Sequence, residues 1–179
     1  VTCKGVTALS ETLAFNTALK VLSLKHNSIS DLGVKAVAQM LENNLALQWL
    51  QMGYNHIGAV GALSLASVLR TTTTLQRLDV SHNGLERGGL EIASALGSNH
   101  SLVCINLSYT RASQDVCLVV VEALRVNTVL QELKLDGNPV GLNGGRFCIH
   151  ALQNAACLKL LSLNNCDFSV VGPVGSTSS

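Results

Sequence analysis

Apolar residues along this chain return on a fixed schedule. The pattern L-x-x-L-x-L-x-x-N-x-I occurs six times, once every 27 or 28 residues. It reads Leu19-Leu22-Leu24-Asn27-Ile29, Leu47-Leu50-Met52-Asn55-Ile57 and Leu75-Leu78-Val80-Asn83-Leu85. It continues as Leu102-Ile105-Leu107-Thr110-Ala112, Leu130-Leu133-Leu135-Asn138-Val140 and Leu158-Leu161-Leu163-Cys166-Phe168. Alternation such as Leu22-x-Leu24 has a period of two, which predicts a short strand with one face inward. The second half of each unit has helical spacing instead. Val34, Val37, Ala38 and Leu41 form one stripe, as do Ala62, Leu65, Ala66 and Leu69, and again Leu90, Ala93 and Leu96. One such unit cannot bury its own apolar face, but stacked neighbours can, so the pattern predicts a solenoid.

The polar positions inside the repeat also have predicted tasks. Asn27, Asn55, Asn83 and Asn138 follow the strand and are expected to bond the backbone of adjacent turns, since a buried unpaired N–H costs roughly 1–3 kcal/mol. Thr110 and Cys166 interrupt that ladder and predict softer turns. Ser30 or Asp31 is expected to cap the first full helix. Asn16, Asn44, Asn99 and Asn127, near the helix ends, are expected to adopt the left-handed conformation of a C-terminal turn.

Strand, turn, helix and turn repeated in one direction predict an α/β fold. It is a right-handed curved βα solenoid, with a parallel sheet on the concave face and helices on the convex face. The residues that carry this argument resemble the leucine-rich repeat family, in its long, ribonuclease-inhibitor-like subclass. The resemblance runs from about Gly5 to Phe168. The segment Val126-Asn127-Thr128-Val129-Leu130-Gln131-Glu132-Leu133-Lys134-Leu135-Asp136-Gly137-Asn138-Pro139 is similar to repeats of nucleotide-binding oligomerisation-domain-like (NOD-like) receptors. The resemblance implies a protein-interaction module. It also leaves an alternative from another class: a regulator of a small GTPase similar to the leucine-rich Ran GTPase-activating protein, although no Arg or Asn here matches that role.

Composition narrows the function. The formal net charge is +1 and charged residues make up only 13% of the chain, with no basic stripe to follow a nucleic acid. Apolar runs such as Val116 to Val121 end well short of a membrane span. Cys3, Cys104, Cys117, Cys148, Cys157 and Cys166 contain no C-x-x-C pair, which favours reduced thiols in a cytoplasmic protein over zinc or disulfides. The sequence has no phosphate-binding loop, nucleophile elbow or H-E-x-x-H, so no enzyme, cofactor or small-molecule substrate is expected. Residues 1–171 read as one repeat domain, with a partial unit preceding six repeats, and 172–179 as a flexible tail. Neither end carries a polar capping module, so the chain is expected to be a segment of a larger scaffold, sensor or regulatory protein.

Strand alternation assigns the concave columns. Counted from the first Leu of each repeat, positions two, four, six and seven later look outward from the sheet. The chain has only six aromatic residues, and Trp49, Tyr54 and Tyr109 fall in these columns. Such side chains carry much of the energy of protein interfaces. The expected partner-binding residues are therefore Trp49, Tyr54, Arg77, Asp79, His82, Asn106, Tyr109, Glu132 and Lys134. The column His26, Tyr54, His82, Tyr109 invites a metal reading, but two strand spacings separate its histidines by ~10 Å, too far for one ion.

Overall fold

The computed structural model describes residues 3–141, 143–144, 146, 152–153, 155 and 157–169. Its elements alternate in chain order. Helix α1 (Cys3–Leu13) precedes β1 (Val21–Ser23), α2 (Ser30–Asn43), β2 (Trp49–Gln51) and α3 (Ala59–Leu69). Then come β3 (Arg77–Asp79), α4 (Gly88–Leu96), β4 (Cys104–Asn106), α5 (Gln114–Val126), β5 (Glu132–Lys134) and β6 (Leu160–Ser162). The strands form one open parallel sheet in the order β1-β2-β3-β4-β5-β6. Each is three residues long because the repeat alternates only twice before its turn begins. Strands pair about 4.8 Å apart, whereas helices need about 10 Å, so the stack bends with the sheet on its inner side.

The middle residue of each strand faces the core. Leu50, Leu78, Ile105 and Leu133 are buried, continuous with the helical stripe residues Val37, Leu65, Ile92 and Val120. The helices begin slightly before the predicted stripes and pack closely through small residues. At Gly61 of α3 an added Cβ would stand 2.6 Å from Asp31 Oδ1 and 2.8 Å from Ile57 Cγ2.

Two asparagine ladders stitch the coils together. After β3, Asn83 Oδ1 accepts from Asn55 N at 2.9 Å and Ile57 N at 3.0 Å. Its Nδ2 donates to the carbonyls of Met52, Val80 and Ser81. Asn138 repeats this arrangement onto Thr110 N, Ala112 N and Leu107 O. Thr110 substitutes with one short bond from Oγ1 to Leu107 O at 2.7 Å, and Cys166 Sγ donates to Leu135 O at 3.3 Å. The predicted strand-side ladder is present, with weaker donors at both interruptions.

The second ladder corrects an expectation. Asn44 and Asn127 end their helices in extended, not left-handed, backbone. Their side chains do the turning instead. Asn44 Oδ1 accepts from Ala46 N and Leu47 N, while Nδ2 donates to Leu13 O and Asn16 O of the preceding coil. Asn99 and Asn127 do the same toward Leu69 O and Leu96 O. An amide that spans two coils satisfies more buried groups than a backbone flip would. The capping expectation also fails. Neither Ser30 nor Asp31 caps α2, which starts after Ile29 without a side-chain cap. Asp31 Oδ1 instead accepts from Gly58 N of the next coil at 2.6 Å.

The turns into the helices alternate with a two-repeat period. Left-handed residues fall eleven positions after the first Leu at Ser30, Glu86 and Gly141, but nine positions after it at His56 and Arg111. The residue before the helix is correspondingly helical at Ile29 and Arg87, and extended at Gly58 and Ser113. The tail expected over 172–179, Cys148 and His150 lie outside the described residues.

Candidate partner-binding surface

Pairing register places the predicted columns side by side. Trp49, Arg77, Cys104, Glu132 and Leu160 are successive partners across β2 to β6, and Gln51, Asp79, Asn106, Lys134 and Ser162 form the parallel row. Within the first row Arg77 is the centre. Its guanidinium carbon lies 5.6 Å from the Trp49 ring centroid, within cation–π range. On the other side Nη2 reaches Glu132 Oε1 at 3.3 Å, crossing over the intervening Cys104. Burial pushes the Cys104 thiol up to about 11, and the Glu132 carboxylate that it meets adds to the shift. Cys104 is therefore a protonated, weakly nucleophilic side chain at the floor of this row.

The second row holds a buried charge. Lys25 reaches from the first repeat to Asp79 in the third, with Nζ 2.5 Å from Oδ2. In the repeat between them stands Gly53, where an added Cβ would be 3.0 Å from Ser81 Oγ and 3.8 Å from Asp79 Oδ1. Ser81 N also donates to Asp79 Oδ1 at 3.0 Å. Burial alone would raise the Asp79 pKa, yet the hydrogen bonds from Lys25 and Ser81 outweigh it and hold the carboxyl below its ordinary value. Of the nine predicted contact residues, Asp79 is thus the buried carboxylate, its charge paired inside the fold, whereas Arg77 and Glu132 pair with each other closer to solvent. A depressed folded-state pKa contributes stability that is fully present above the unfolded value of about 3.9 and is lost as pH falls through the folded one. Urea midpoints measured from pH 6 to pH 2 are expected to fall below about pH 4, and Asp79→Asn is expected to flatten part of that slope. An unchanged slope in Asp79→Asn would contradict this assignment.

Along one rim runs a stack of rings. His26, Tyr54, His82 and Tyr109 lie face to face, with centroids 4.1, 4.0 and 4.3 Å apart. All four hold left-handed backbone, with φ between 54° and 59°. The next coil has Gly137, also left-handed, beneath the Tyr109 ring, where a Cβ would collide with the ring edge. Asn165 Nδ2 in the last coil donates to Tyr109 Oη at 3.3 Å. The Tyr54 ring lies between His26 and His82, in keeping with the separation expected from strand spacing. Among the described residues no group of three or more His, Cys, Asp or Glu is placed to hold a metal.

The structure thus gathers Trp49, Arg77, Glu132, Asn106 and Lys134 on the sheet, and Tyr54, His82 and Tyr109 along its rim. Lys25, Gly53 and Gly137 fall in the concave columns by the same count but were not among the expected contact residues, and the pair that Lys25 makes with Asp79 was not foreseen. Asp136 lies in the third column, facing the same groove as the count expects. Its carboxylate accepts from Ser108 Oγ, Ser162 Oγ and Asn164 N.

The family model described as Leucine Rich repeat matches residues 15–38, 43–66, 72–91 and 126–147, just over half of the chain. The protein phosphatase 1 regulatory subunit 37 homolog of Caenorhabditis briggsae is 37% identical over 65 residues, which is 36% of this chain and 7% of that protein. The chain therefore matches only a small part of that relative. The structure of leiomodin-1 actin-binding site 2 superposes with a TM-score of 0.68 at 17% identity, covering 84% of this chain and 87% of that one. The C-terminal domain of Caenorhabditis elegans tropomodulin gives 0.69 at 15% identity, covering 86% and 92%. At these identities the likeness is one of fold.

Proposed function

We propose, from the premise that this chain belongs to the leucine-rich repeat family, that it is a protein-binding module that takes its partner on the concave face. The observation that carries this reading is the Trp49–Arg77–Glu132 row lying beside an exposed wall of stacked rings. Trp49 and Arg77 are of the residue types that dominate interface energetics, and each is held in place before any partner arrives. The sheet beneath them is rigid, so binding orders little backbone.

Two of the similar proteins have names that speak of phosphatase regulation and actin binding, which supports a macromolecular partner. The finer resemblance, to ribonuclease-inhibitor-like repeats and NOD-like receptors, is supported by the 27- to 28-residue period with an α-helix after each strand from β1 to β4. A cytoplasmic setting is supported by the free thiols of Cys3, Cys104, Cys157 and Cys166. Among those residues no helix is long and apolar enough to cross a membrane.

The test is a partner isolated with the wild-type chain and titrated calorimetrically against the Trp49→Ala, Arg77→Ala double variant. Truncating a central interface anchor typically costs about 2 kcal/mol, so the double variant is expected to bind at least about 30-fold more weakly with its thermal unfolding little changed. Equal affinity for both proteins would remove the concave row from the interface.

A further inference from the structure

The carboxylates that look into the hollow are already engaged, whereas several of its cations are not. Asp79 is held by Lys25, and Glu132 by Arg77. Asp136 accepts from two serine hydroxyls and a backbone N–H. Lys134 stands beside them, and Lys20 and Lys159 lie exposed at the rim one residue before β1 and β6. None of these three lysines has an acid partner within 4.0 Å among the described residues. Arg77 is engaged by Glu132 through Nη2 alone.

Resting on the concave-face reading, we propose that the partner's contact segment is an acidic, extended stretch of protein whose carboxylates meet Lys134 and Arg77. The two cations stand two strands and two residues apart, a diagonal of roughly 12 Å, which matches three to four residues of extended chain. The segment therefore crosses the strands with acidic residues at that spacing. A nucleic acid fits this surface poorly. The outward face of β5 and its turn reads Glu132, Lys134, Asp136, so a phosphate chain charged at every step would meet two carboxylates for each lysine. A peptide places its charges where the cations are.

The test selects a displayed random library of roughly twelve-residue peptides against the full chain, a length that spans the sheet at ~3.3 Å per residue. Synthetic copies of the winners are then titrated while the emission of Trp49, the single tryptophan, is followed. The expected winners are net acidic and shift Trp49 emission. They are expected to bind about tenfold more weakly to Lys134→Glu, and more weakly in high salt. Winners that shift Trp49 but are neutral or basic, or that ignore Lys134→Glu, overturn the acidic inference and leave the concave site standing. Winners that bind without changing Trp49 emission overturn both. Displacement of a bound peptide by oligouridylate at comparable concentration also overturns the proposal, because the hollow would then be a general polyanion groove.

Discussion

Asn83→Ala is expected to lower the free energy of unfolding by about 3–5 kcal/mol. The side chain is buried and joins two coils through five hydrogen bonds. Its loss strands two backbone N–H groups, on Asn55 and Ile57, where water cannot replace the acceptor without opening the turn. Each such donor costs about 1–3 kcal/mol, and the carbonyls of Met52, Val80 and Ser81 lose their donor as well. Urea unfolding followed by circular dichroism checks the value. The contrast is Thr110→Ala, which removes chiefly the Oγ1 bond to Leu107 O and is expected to cost about 1 kcal/mol. Similar losses in the two variants would mean that the amide does not organise the turn, and that apolar packing alone holds adjacent coils in register.

The second large effect is Gly88→Ala, expected to destabilise by about 3 kcal/mol, the upper end of the range for overpacking. A Cβ at Gly88 would stand 2.5 Å from Ala62 Cβ, 2.7 Å from Ala59 O and 2.9 Å from Ala59 Cα. Two of these three atoms are backbone of α3, so no rotamer change relieves them and the helices must separate. The same substitution one residue later provides the control. At Gly89 the new Cβ would meet only Val116 side-chain atoms, the nearest at 3.3 Å. There the gain in helix propensity, up to about 1 kcal/mol, opposes a mild contact, and the variant is expected to be neutral or slightly more stable. Thermal midpoints of the two variants therefore move apart. If both fall equally, the α3–α4 contact is looser than its geometry states.

Period and alternation were enough to place every strand, its register and its inward middle residue, because both are set by side-chain polarity. The concave columns followed from the same counting. What polarity does not encode stayed hidden. Asn44 and Asn127 read as helix terminators from residue type alone, whereas their real work is with carbonyls of the preceding coil, close in space but 28 or more residues away in sequence. The two-repeat alternation of turns is hidden because Ser30, Glu86 and Arg111 are not the residues expected at left-handed positions. Asp79 reads as an open carboxylate in its column, and only the reach of Lys25 across a whole repeat shows it to be engaged. The His-Tyr-His-Tyr column was visible, but its meaning as a face-to-face stack depends on a shared backbone conformation that spacing does not reveal.

That shared conformation sets backbone ease against side-chain content. His26, Tyr54, His82 and Tyr109 each keep a positive φ, which is unfavourable for an L-residue by about 1 kcal/mol. Glycine would take the same turn without that penalty, as Gly137 does in the fifth coil. Any redesign of this chain guided by torsional preference alone would replace these four rings with glycines, and would erase the flank of the hollow together with the ring contacts that offset the torsional cost.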